Sequence, residues 1–151
     1  MLGYWNNLEA TVEAVDGASW MHTGDLAVMD EAGYVSIVGR NKDMIIRGGE
    51  NVYPREIEEF LFGHSAVADV QVVGIPDDKY GEEIVAWVKC HPGHEASDEQ
   101  LREFCKGRIA HFKVPRHFLF VDDFPMTVTG KVQKFRMREL TVARLGIGPK
   151  Q

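Results

Sequence analysis

Residues 67–90, VADVQVVGIPDDKYGEEIVAWVKC, decide the fold. Two runs rich in valine and isoleucine, 67–75 and 82–90, flank the polar stretch PDDKYG at 76–81. Short apolar runs that are β-branched and bounded by a turn signal read as buried strands rather than as helix. A sheet therefore stands at the centre of the chain.

Upstream, residues 44–46 predict a short strand that runs into Gly48-Gly49. Pro54 then stands where the first turn of a helix accepts a residue lacking an N–H, and Ile57, Phe60 and Leu61 follow at helical spacing. This is a β-loop-β-α unit. Further upstream, LAVMDEAGYVSIVG at 26–39 predicts a hairpin, with Gly33 supplying a positive φ in the turn 30–33. Downstream, SDEQLREFCKGRIAHF at 97–112 predicts one amphipathic helix. Ser97 is its N-cap, Gln100 lies three residues on, and Leu101, Phe104 and Ile109 form the apolar stripe. RHFLFVDDF at 116–124 predicts another strand, and KVQKFRMRELTVARL at 131–145 a closing helix. Helices interspersed with strands around a small mixed sheet make the class α+β. No internal repeat or low-complexity linker interrupts the chain.

With 151 residues, 44% of them hydrophobic, the chain can bury one ordinary core, or one domain with a piece of another. Its formal net charge of -6 repels polyanions, so general nucleic-acid binding is disfavoured and any nucleotide contact needs local basic groups. No apolar run of 18 residues is present to span a bilayer, and MLGYWNNLEA lacks the basic and apolar regions of a signal peptide. The expected compartment is the cytoplasm, with the mitochondrion also open. Cys90 and Cys105 make no disulfide framework, which agrees with reducing surroundings. Trp5, Trp20 and Trp87 are expected in a core or interface.

Three stretches carry candidate chemistry. In WMHTGDLA, residues 20–27, a Thr23-Gly24 turn presents Asp25, whose ionised carboxylate accepts only and so suits a pair of ribose hydroxyls; a turn-capping aspartate has the same local pattern. In GRNKDMIIRGGENVYP, residues 39–54, Arg40 leaves a strand beside Asn41, Lys42 and Asp43, a junction able to bend. Gly48-Gly49 lets a ligand or a second backbone approach closely, although solvated basic residues and a plain turn would read alike. In PMTVTGKVQK, residues 125–134, Pro125 sets a turn, Thr127 and Thr129 bond local backbone, and Gly130 frees the chain to bring Lys131 forward. An ammonium on a long stem suits carboxylate and phosphate oxygens gathering charge in a transition state.

Two further groupings compete for a role. Cys90, His91 and His94 in KCHPGHE, with Cys105 beyond, include zinc-ligating types, but their spacing fits no ordinary finger and reads as a strand end before a Pro-Gly turn, so no metal site is assigned. Lys131, Lys134, Arg136 and Arg138 form a basic run; in an acidic protein it reads as a solvated face or a local phosphate contact rather than as a patch for nucleic acid.

Taken together and in this order, T-G-D, then G-R-x-K-D-x-I-I-x-G-G-E-N-x-Y-P-x-E-I-E, then P-x-T-x-x-G-K resemble the C-terminal portion of the adenylate-forming superfamily of acyl-CoA synthetases, peptide-synthetase adenylation domains and firefly luciferase. The resemblance runs from GYW at residues 3–5 to the closing helix, and IIRGGENVYPREIE looks like medium- and long-chain fatty acyl-CoA synthetases and their aryl relatives more than carrier-loading domains. It implies that Thr23, Asp25 and Arg40 contact the nucleotide and that Lys42 is the hinge, where many relatives carry aspartate. It further implies that Gly48, Gly49 and Glu50 line the CoA pantetheine path, and that Lys131 is the catalytic lysine bridging acyl carboxylate and α-phosphate.

The implied reaction joins a carboxylic acid, expected to be a fatty acid, to CoA at the expense of ATP with Mg2+, through an acyl adenylate. Members of the superfamily carry a far larger N-terminal domain with a phosphate loop and the acyl pocket; no G-x-x-x-x-G-K-[ST] occurs in this sequence. Residues 1–41 are thus expected to be the tail of that domain and 42–151 the mobile lid, the chain being inactive alone and holding no ligand tightly. The hairpin would then expose apolar surface and pair with a second copy or move freely. The alternatives are an adenylation domain that loads a carrier protein and a non-catalytic binding module that keeps the lid fold.

Overall fold

The hairpin read from residues 26–39 is present in the computed structural model of the chain, which describes residues 1–147. The backbone divides into two units, Met1–Lys42 and a larger one from Asp43 onward. The first holds helix α1, Leu8–Ala14, and strands β1, Asp25–Met29, and β2, Val35–Arg40. Helix α1 has no counterpart in the sequence reading. It spans seven residues, buries none of them, and is capped by Asn7, whose side chain accepts from the Ala10 N–H. So short a helix shows no hydrophobic period. β1 and β2 pair antiparallel, and Asp30 fixes their turn by accepting from the N–H groups of Ala32 and Tyr34. Met29, Val35 and Ile37 stay exposed on one face, the apolar exposure expected of this hairpin.

The second unit runs β3, Ile45–Arg47; β4, Glu50–Val52; α2, Pro54–Phe62; β5, Val67–Asp77; β6, Gly81–Cys90; α3, Asp98–Cys105; β7, His117–Phe120; and α4, Lys134–Leu145. β6 is the central strand. β5 pairs along one of its edges, antiparallel, while β3 meets it at Gly81 and β7 runs parallel to Val85–Val88. A parallel neighbour requires a crossover connection, and the segment holding α3 supplies it. The sheet is mixed and the class α+β, as the sequence indicates.

Both faces of β5 and β6 are covered, so their sequences are almost continuously apolar. Val70, Val72, Ile84, Ala86 and Val88 join Ile57 and Leu61 of α2 and Leu101 of α3 in one cluster. Val73, Ile75, Val85 and Trp87 alternate onto the other face and meet Met137 of α4. Trp87 donates its indole N–H to Thr141 Oγ1 at 2.9 Å inside this second cluster. Trp5 and Trp20, in contrast, are exposed and belong to no core.

The boundaries of two expected helices move, and the strand read at 116–124 shortens to His117–Phe120. The helix read from 97–112 keeps its capping box, Ser97 with Gln100, but ends at Cys105, because Lys106 is extended and Gly107 takes φ +71°. Ile109 still packs against the first cluster from the connection beyond. The closing helix begins at Lys134 rather than at 131, so Lys131 lies on a loop. No described helix is long and apolar enough to cross a membrane.

Candidate functional site

In the first unit, the β1–β2 register sets Asp25 opposite Arg40, and Arg40 Nε donates to Asp25 Oδ1 at 3.3 Å. The Asp25 N–H donates to Thr23 Oγ1 at 3.1 Å, and the Asn41 N–H to the Gly24 carbonyl at 2.8 Å, so the base of the hairpin is held by the T-G-D segment itself. Arg40 is 70% exposed and Asp25 32%. An ion pair this wet stabilises by under about 1 kcal/mol, which leaves both groups free to exchange each other for a ligand. Lys42 sits in the 3-10 turn Asn41–Asp43 and is exposed, 3.9 Å from Glu13, too far for a strong contact.

In the second unit, Gly48 and Gly49 are the two central residues of the β3–β4 turn, at φ +60° and +87°. Two successive positive φ values make a turn of the kind that suits strand twist and is closed to most other side chains. The loop is tied to its neighbours on one side. The Gly48 N–H donates to the Tyr80 carbonyl at 2.8 Å, and a Cβ built on Gly48 would approach the Tyr80 ring to 3.3 Å. Asp77 Oδ1 accepts from the Tyr80 and Lys79 N–H groups and so presents the tyrosine. The Tyr80 N–H above all, then that of Lys79 with Arg116 and Arg47 nearby, holds the Asp77 carboxyl below the usual range. Glu50 is exposed next to the glycines.

Lys131 closes a tight local loop. The Thr127 N–H donates to the Lys131 carbonyl at 2.8 Å, the Lys131 N–H returns to Thr127 Oγ1 at 3.0 Å, and the hydroxyls of Thr127 and Thr129 lie 2.9 Å apart. Met126 bridges Val132 across it. The backbone is therefore over-determined, while the lysine side chain is exposed and has no ion-pair partner among the described residues. Two others of the basic run are engaged, Lys134 with Glu58 at 2.7 Å and Arg136 with Glu139 at 2.9 Å, while Arg138 comes no nearer than 3.9 Å to Glu82. It is no continuous cationic face for nucleic acid.

Gly48, Gly49, Glu50 and Lys131 thus belong to the second unit, and Thr23, Asp25, Arg40 and Lys42 to the first. Cys90 and Cys105 are free thiols, and among the described residues no group of three His, Cys, Asp or Glu side chains is arranged to hold a metal ion. One grouping is absent from the sequence reading: the buried carboxylate of Glu83, 1% exposed, paired with Arg47. The available signal was a glutamate directly before the apolar run 84–88, where a buried charge demands a partner.

The model of the family described as "AMP-binding enzyme C-terminal domain" matches residues 56–131. A protein of Bacillus subtilis (strain 168) described as a putative acyl-CoA synthetase is 54% identical over 151 residues, covering 100% of this chain and 28% of its own length. The mitochondrial medium-chain acyl-CoA ligase of Pongo abelii is 54% identical over 139 residues, 92% of this chain and 23% of that protein. The crystal structure of ATP-bound MatB from Rhodopseudomonas palustris matches with a TM-score of 0.87 and 39% identity, over 95% of this chain and 28% of that one. The chain spans about a quarter of the length of the curated relatives it matches.

Proposed function

Because the chain belongs to the AMP-binding enzyme C-terminal domain family, we propose that it serves as the lid portion of an ATP-dependent acyl-CoA synthetase acting on a carboxylic acid of the fatty-acid class. The observation that carries this reading is Lys131, held on a loop by three local hydrogen bonds, its ammonium without an ion-pair partner among the described residues while Lys134 and Arg136 are engaged.

In the first half-reaction a carboxylate oxygen attacks the α-phosphorus of ATP, the bond to pyrophosphate breaks, and an acyl adenylate remains. Lys131 stabilises the negative charge that gathers between the two anionic reactants. Asp25 accepts from the ribose hydroxyls and Arg40 contacts the nucleotide, with Thr23 fixing the Asp25 backbone. In the second, the CoA sulfur attacks the acyl carbon, AMP leaves and the thiol proton is released. Between the two, the segment from residue 42 turns about Lys42, withdraws Lys131 and brings Gly48, Gly49 and Glu50 to the pantetheine arm. Residues 1–41 are then the tail of the large nucleotide-binding domain. Magnesium accompanies ATP in this chemistry; the described residues bring together no three His, Cys, Asp or Glu side chains that would hold it.

The two free thiols favour a reducing compartment, and we place the enzyme in the cytoplasm. When this chain stands alone, its apolar hairpin face pairs with a second copy.

The test is pyrophosphate release from ATP with a panel of carboxylic acids, using a complete synthetase that carries this chain, with and without Lys131→Ala. Removal of one transition-state charge stabiliser is expected to cost roughly 100-fold or more. Adenylation at the wild-type rate in the variant would rule the mechanism out.

A further inference from the structure

The loop proposed to admit CoA is anchored next to a buried ion pair that the chemistry above does not use. Arg47, the last residue of β3, donates Nε to Glu83 Oε1 at 2.5 Å and Nη2 to Glu83 Oε2 at 3.0 Å, a two-pronged contact. Its side chain is 14% exposed and that of Glu83 1%. The guanidinium also lies 4.5 Å from the centre of the Tyr80 ring, and the Tyr80 carbonyl is the group that accepts the Gly48 N–H. Arg116 stands 3.6 Å from Glu83 and 3.4 Å from Asp77, the residue that presents Tyr80. Gly48 therefore follows directly on a residue whose orientation is fixed from two sides.

Such a pair is a poor choice for stability alone. Burying both charges costs most of what their attraction returns, and apolar residues of similar volume would hold the sheet as well. β6 is otherwise lined there by isoleucine, valine and alanine. What an apolar pair would not provide is direction: the planar fork of Arg47 fits the Glu83 carboxylate in one orientation and offers its face to Tyr80.

We propose that Arg47, Glu83 and Tyr80 are positioning residues for the Gly48–Glu50 loop, and that they serve the thiol-transfer half-reaction and not adenylation. The proposal rests on the functional reading given above. Arg47 and Glu83 touch no reacting atom; they hold the turn in the geometry through which the pantetheine arm passes, where a displacement of about 1 Å is enough to cost roughly 100-fold.

The experiment compares Glu83→Gln, Arg47→Lys and Tyr80→Ala with the wild type in a complete synthetase carrying this chain. Two rates are read: the carboxylate-dependent burst of pyrophosphate without CoA, and thioester formation as CoA is varied. The burst should stay within about twofold in all three, while kcat/KM for CoA falls roughly 10- to 100-fold. Arg47→Lys is expected not to rescue, because an ammonium cannot make the two-pronged contact. Tyr80→Ala leaves no buried charge unpaired, so it carries the test even where Glu83→Gln fails to fold. A parallel loss of burst and transfer in the folded variants, or transfer unchanged in Arg47→Lys and Tyr80→Ala, overturns the positioning role. A wild-type enzyme without any burst sinks the functional reading and this proposal with it, an outcome separate from a normal burst with indifferent variants.

Discussion

The thiol of Cys105 is fully buried on α3 beside Leu101, and burial pushes its pKa up to about 11, with Arg102 opposing only slightly. A thiol of that kind stays protonated, and the thiolate is the reactive form. An aromatic disulfide reagent at pH 8 should therefore label Cys90, which is partly exposed, and spare Cys105 until the chain is unfolded. Equal labelling of both in the native chain would contradict the packing. The unfolded thiol ionises near its ordinary value, about 8.5, and the folded one resists. The contribution of Cys105 is intact below that value and is lost as pH rises from there towards about 11. At this scale Lys131 was legible in the sequence, because proline, threonines and glycine crowd around it in one short run. Arg47 and Glu83 lie 36 positions apart and meet only through the pairing of β3 with β6, so no local pattern announced them.

Helix α3 shows how one element is started and stopped by different means. Ser97 accepts from the Gln100 N–H while Gln100 reaches back to the Ser97 N–H, so two orphan donors are satisfied at once. Ser97→Ala should destabilise the unit by about 1 kcal/mol, read as a lower urea midpoint at unchanged slope, and unaltered stability would show the cap to be dispensable. The start of this helix could be read from four residues, but its end could not. The apolar spacing continues to Ile109, and that residue does reach the core, yet from a turn in which Gly107 has already broken the helix. β5 and β6 were legible because both of their faces are buried and their composition is uniform. β7 was legible as a strand, but its parallel pairing depends on which edge of β6 remains open once β5 has taken the other.

At the scale of the whole chain, Met29, Val35 and Ile37 are exposed together on one face of the hairpin, and it is the part from which self-pairing is expected. Sedimentation of the chain alone should give a mass above that of a monomer, rising with concentration, and Val35→Lys combined with Ile37→Lys should return it to the monomer; a monomeric wild type at all concentrations would remove the proposed pairing. The division of candidate residues between two units was foreshadowed by their order along the chain, since the T-G-D and arginine precede the junction and the glycines and Lys131 follow it. Among the described residues, α4 is the only helix that contributes a residue to the core of the second apolar cluster, through Met137. On the ribosome β5 and β6 emerge and can zip together before this helix has been translated. Until it arrives, Val73, Ile75, Val85 and Trp87 face water on a finished hairpin, so the nascent chain passes through a stage in which chaperone capture and misassembly compete with the final fold.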